Sequence, residues 1–216
     1  MEKELVNSNV VILAEQFNPS ILSQIWLVKN DIFAEGDFKA GFVFTEAITQ
    51  VSTSECELLV VPPRAQFTLK CANDAQQELI VSKIGRLVNA LPETPYRAVG
   101  FNLQWHLVPD DATVEELTRR LFFVNDNPVH EAFDAPDARF GSYLSKDSMG
   151  FRLKLSIQPV IVQRYEEPGQ HAIAFSFNYH CPLDRDPNQV SKIQDLLSRW
   201  DDALRESTQI LDTLTD

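Results

Sequence analysis

Seven side chains in the second half of this sequence share one phase. From Val99 to Leu107, Asn102, Gln104 and His106 alternate with Phe101, Leu103 and Trp105. From Phe151 to Gln158, Arg152, Lys154 and Ser156 alternate with Leu153, Leu155 and Ile157, and before His180, Ser176 and Asn178 alternate with Phe175, Phe177 and Tyr179. A strand places successive side chains on opposite faces. The pattern therefore predicts an apolar face and a polar face carrying Asn102, Gln104, His106, Arg152, Lys154, Asn178 and His180. Arginine and lysine supply cationic donors for carboxylate or phosphate. The amides and imidazoles add directional hydrogen bonds. One side of an antiparallel sheet is often simply hydrated, and the same residues also suit a surface that binds a partner or a polar ligand. His106 and His180 share the face and could form an acid–base or metal pair. No Asp, Glu or Cys at ligand spacing completes a metal set, and no metal is expected. Cys181 falls in the opposite phase to His180.

A second group lies in the long segment 124–140, predicted as a loop, where His130, Asp134, Asp137 and Arg139 are the candidates for docking or chemistry. Long loops in compact domains are often functional. Acid–base work requires groups within hydrogen-bond reach of one another, which spacing alone does not supply. Ser142 and Lys146 match no catalytic pattern. The sequence has no phosphate-binding glycine motif, no His-Glu-x-x-His and no Gly-x-Ser-x-Gly, and only seven glycines. No cofactor is expected, and the reading is non-enzymatic.

The elements that must hold these residues repeat. Val81-Ser82-Lys83-Ile84 opens one apolar-periodic segment and Val190-Ser191-Lys192-Ile193 opens another. Each follows a block of strand-like segments, and each block begins with a comparable strand, Val10–Phe17 against Ala98–Trp105. Asn18 and Pro19 predict a helix start, with Ile21, Leu22, Ile25 and Val28 on its apolar stripe. Residues 41–72 read as antiparallel strands, in which Ile48, Val60 and Phe67 interrupt the polar phase. Helices are predicted over 74–91, over 114–122 with Thr113 as N-cap, and from Asn188 to about Thr213. Strands are predicted over 141–144, 151–164 and 171–180. The fold class is α+β: a duplicated β-α-β(3–4)-α unit, with residues 1–94 and 95–216 as two repeats of one compact domain. A curved antiparallel sheet is backed by helices. The element order resembles the two-repeat saddle of the TATA-box-binding-protein fold, and that resemblance is what implies the curvature.

Net charge is -12, which disfavours a phosphate-tracking surface and an anionic membrane. Nucleic acid is therefore an unlikely partner. The three cysteines, Cys56, Cys71 and Cys181, form no close pair, which suits a reducing compartment. The N-terminus does not read as a signal peptide, and no apolar run is long enough to span a membrane. The expectation is a cytoplasmic binding or assembly protein, homo-oligomeric or bound to a protein partner through the polar sheet face or the 124–140 loop. The alternative is a small-molecule binder or enzyme with its site between the repeats.

Overall fold

Nine strands form in the computed structural model, which describes residues 1–39, 41–71, 73–163, 169–183 and 187–214. They are β1 (Glu2–Ala14), β2 (Phe42–Phe44), β3 (Thr49–Ser52), β4 (Cys56–Val61), β5 (Arg64–Leu69), β6 (Tyr96–Val108), β7 (Ser142–Ser148), β8 (Phe151–Val162) and β9 (Gln170–Pro182). All join one sheet in the order β2-β3-β4-β5-β1-β6-β9-β8-β7, and every pairing is antiparallel. Strands β1 and β6, each of 13 residues, lie side by side at the centre, from Glu2 opposite Val108 to Ala14 opposite Tyr96.

The helices are α1 (Gln24–Lys29), α2 (Asn73–Leu79), α3 (Gly85–Ala90), α4 (Val114–Phe122), α5 (Pro128–Ala132), α6 (Gln189–Leu197) and α7 (Trp200–Asp212). A π turn, Ile80–Ile84, joins α2 to α3. The core forms between the helices and one face of the sheet. Across that face runs a row of directly opposed residues, Phe42, Val51, Leu58, Phe67, Val10, Phe101, Tyr179 and Leu153. All but Phe42 are buried. Trp200 packs its ring 5.1 Å from that of Phe101. Its indole N–H donates to the Gln76 side chain at 3.1 Å, so the polar atom is not left unpaired.

The expected curvature is corrected: the sheet is open, with β2 and β7 as separate edges, and is not curled into a saddle. Pairing of β1 with β6 merges the strands of both halves into one plane of hydrogen bonding. Curling a sheet takes bulges or glycine kinks. Among the described residues, register shifts occur only between β1 and β6, at Leu5/Asn7 and Leu13/Ala14. What stands is a mixed α+β domain with a large antiparallel sheet packed on helices.

Smaller differences have local causes. Asn18 caps a short 3₁₀ turn, Pro19–Ile21, and Ser23 then caps α1 by accepting from the Trp26 N–H at 3.3 Å. This second start turns Leu22 and Leu27 inward and leaves Ile25 80% exposed, so the predicted apolar stripe does not form. The C-terminal helix breaks at Ser198–Arg199, where the Arg199 guanidinium donates to the Met149 carbonyl at 2.7 Å, and α7 restarts with Trp200 in the core. The capping box before α4 is present: the Glu116 N–H donates to Thr113 at 3.2 Å and the Thr113 N–H to the Glu116 carboxylate at 2.9 Å. Strand β7 is longer than predicted, β8 is described to Val162, and Arg164 lies outside the described residues.

The two Val-Ser-Lys-Ile segments occupy the π turn and α6, and both final isoleucines, Ile84 and Ile193, are buried. Helices α3 and α6 touch closely. The Gln194 amide donates to the Gly85 carbonyl at 2.7 Å, and a side chain on residue 85 would begin 2.8 Å from the Gln194 oxygen. Glycine there permits the approach.

Candidate functional site: the open face of the sheet

Opposite the helices, one residue along each strand from the buried row, lies a polar row. Ser52, Glu57, Thr68, Asn9, Asn102, Asn178, Lys154 and Ser145 stand directly opposite one another across eight strands, β3 to β7. At its centre the asparagines form a ladder. The Asn178 amide donates to the Asn102 oxygen at 2.6 Å, and the Asn102 amide donates to the Asn9 oxygen at 2.8 Å. Asn9 is 5% exposed, so its carbonyl depends on Asn102 in place of water.

The register decides which predicted residues meet. Asn102, Asn178 and Lys154 are consecutive in the row. Arg152 stands opposite His180 on one side of it, and Gln104 opposite Ser176 on the other. His106 stands apart, opposite Ala174, whereas His180 is opposite Gly100. The two histidines are therefore six positions apart along antiparallel strands, about 20 Å. Both come late in their own strands, and antiparallel pairing sends late positions to opposite ends. A histidine pair does not form. Among the described residues no group of three or more His, Cys, Asp and Glu side chains is placed to hold a metal.

Arg152 turns toward the edge, donating to Ser145 at 2.7 Å and to Asp147 at 3.1 Å. Lys154, Gln104 and His180 have no side-chain hydrogen bond or ion pair among the described residues. Lys154 is exposed, whereas Gln104 and His180 are half-buried. In the first half of the face, Val60 and Phe67 do not interrupt the polar phase, because both are buried against the helices. The apolar residues on this side include Val11, Leu13, Leu59 and Val61, all half-buried and interleaved with Gln50, Arg64 and Gln66, and the exposed Val43 opposite Gln50.

Three of the four 124–140 candidates are occupied with tethering. Arg119 on α4 pairs with Asp134 at 2.5 Å and donates to the Ala135 carbonyl at 2.7 Å. Arg139 donates to Glu115 at 2.7 Å and lies 3.4 Å from His171. The His130 ring accepts from the Val124 N–H at 2.9 Å and packs between Phe123 and Phe140. Hydrogen bonds from its own backbone N–H and from Arg139 hold the Glu115 carboxyl below its ordinary range. Asp137 is exposed and takes no part. The segment is thus fastened to α4, with α5 formed inside it.

No cleft separates the halves on this face, since the β1–β6 ladder closes the junction. Behind the sheet, the groove between α3 and α6 is lined by Asn89, Pro92, Asn188, Gln189 and Gln194 among others, and none of the seven sheet candidates reaches it. The cysteines are free. Burial pushes the thiols of Cys56 and Cys71 up, which keeps them protonated and poorly nucleophilic.

Sequence reading missed Ser52, Glu57, Thr68, Asn9 and Ser145 as members of the row. The signal was present in β1, where Asn7 and Asn9 share a phase opposed to Val10 and Ile12. It was masked by the run Val10–Leu13, which reads as a strand buried on both sides.

No helix among the described residues is long and apolar enough to cross a membrane. No protein-family model matches this sequence, and no curated protein matches it either.

Proposed function

We infer that this protein is a non-enzymatic binding and assembly protein. Its open sheet face receives a protein partner, and the chain associates with copies of itself. The observation that carries the reading is the eight-strand polar row, held in place by the asparagine ladder and, among the described residues, left without a helix over it. Beside the row, Val11, Leu13, Leu59 and Val61 offer apolar contact. Protein interfaces combine an apolar centre with a polar rim. The partner suited to this surface is apolar opposite β1 and β4 and presents a carboxylate to Lys154. The sheet face is preferred to the 124–140 segment because Asp134 and Arg139 are already engaged with Arg119 and Glu115 of α4, and His130 with the Val124 N–H. Three free cysteines accord with a reducing, cytoplasmic setting. The charge of -12 accords with a protein partner rather than a nucleic acid.

The test is site-specific photo-crosslinking from Ser176 in native cells, with exposed Asp202 on α7 as the control position. The captured protein is then purified and its affinity measured against wild type and Lys154→Glu. A partner caught from Ser176 alone, with binding weakened about tenfold or more by the charge reversal, supports the reading. Equal capture from both positions, or an unchanged affinity, refutes it.

A further inference from the structure

The two edges of the sheet are unequal. Strand β2 has three residues, whereas β7 has seven, and Tyr143 to Asp147 are all exposed. Among the described residues no strand lies on the outer side of β7. A long edge without proline or bulge is a template for another strand, and lysine is the usual guard against it. Here the guard is engaged elsewhere. Lys146 on the helix side pairs with Glu206 of α7 at 2.6 Å. Glu206 also accepts from Ser148 at 3.0 and 2.9 Å and lies 3.1 Å from the Tyr179 hydroxyl. Burial, and then Glu206 itself, push the Tyr179 hydroxyl well above its ordinary range, so it stays a donor. This cluster fixes β7 to α7. Next to it Leu144, 54% exposed, joins Leu153, Leu155 and Ile210 around an apolar groove of about 270 Å³.

We propose that β7 pairs antiparallel with β7 of a second copy, about a two-fold axis at Ser145, joining two sheets into one. The proposal rests on the self-association inferred above and names its surface. An axis normal to the sheet keeps both sets of helices on one side and opposes residues of like phase. Centred on Lys146 or Asp147, it would oppose like charges, which is unfavourable across strands. Centred on Leu144, it would leave Asp147 and Ser148 without opposite residues in β7. Centred on Ser145, it pairs all seven residues of Ser142–Ser148. Tyr143 then faces Asp147 on the open side. On the helix side Leu144 faces the methylene stem of Lys146 and covers the groove.

The test is sedimentation velocity on the full chain, comparing wild type with Leu144→Lys and Leu144→Glu. Wild type is expected to be a dimer. Leu144→Lys places two symmetry-related lysine pairs across the junction and should weaken the dimer by about tenfold. Leu144→Glu places carboxylates there and should keep it. Circular dichroism establishes that each variant is folded, and Ser145→Pro, which blocks strand addition at an exposed edge, replaces the lysine variant if that one is not. A wild type that is monomeric at every concentration overturns the proposal, whatever else β7 binds. A dimer that the two Leu144 variants shift equally, or not at all, overturns edge pairing while leaving self-association standing. Neither outcome touches Lys154-dependent binding on the open face.

Discussion

Two rows of residues cross this sheet one position apart and have opposite chemistry. Val51, Leu58, Phe67, Val10, Phe101, Tyr179 and Leu153 face the helices, and Ser52, Glu57, Thr68, Asn9, Asn102, Asn178 and Lys154 face away. The backbone ladder is common to both. The first row is filled by other elements of the chain and, among the described residues, no helix packs on the second. On the proposed reading, stability belongs to one side of the sheet and recognition to the other, and substitutions can show whether that separation is real.

The largest effect is expected from Trp200→Ala on the covered side. It removes a fully buried ring from Phe101 and the indole donor from the Gln76 side chain, and should cost about 3–5 kcal/mol in chemical denaturation. Asn102→Ala breaks the ladder at its middle member and leaves the buried Asn9 oxygen without its donor. A loss of about 1–3 kcal/mol follows if the ladder contributes to folding. A change near zero would show that water replaces the amide and that the open face is wet throughout. Lys154→Glu alters an exposed residue without an ion pair among the described residues, so its stability should stay within about 0.5 kcal/mol of wild type while partner binding falls.

The smallest effect is expected away from both rows. Hydrogen bonds to the ionised Glu115 lower its carboxyl's pKa in the native state. That contribution is complete above the ordinary carboxylate range and is lost as pH falls through the lowered value. Arg139→Ala removes part of it. The cost should be less than about 1 kcal/mol for so exposed a pair, seen as faster amide exchange across 124–140 near neutral pH and a smaller difference in acid.

Much of the helix-facing row was legible as period-two alternation in the second half, because Leu153 and Tyr179 are each flanked by polar neighbours and Phe101 by Gly100 and Asn102. Alternation fixes phase within one strand, however, and not register between strands. His106 and His180 therefore shared a face on paper yet lie far apart, while Asn9 belongs beside Asn102 at a sequence separation of 93. In the first half, Leu58, Leu59, Val60 and Val61 are all apolar, so their phase becomes visible only through pairing with β5. The break at Ser198–Arg199 was hidden because it is made by a tertiary bond to Met149, which local propensity does not contain. Sheet curvature was likewise not readable from element order, since it depends on bulges and on which strands become edges.

The pairing of β1 with β6 also sets an order in time. Residues 2–14 leave the ribosome before their partners on one side, residues 96–108, which follow roughly ninety residues later. At about 5–20 residues per second, the interval is on the order of ten seconds. Throughout it the nascent chain carries a long strand satisfied at most on its β5 side, and such an edge attracts other chains. Contacts so distant in sequence also slow the final closure. A fragment ending at residue 94 would hold that intermediate indefinitely, and it should aggregate or recruit chaperones where the full chain does not.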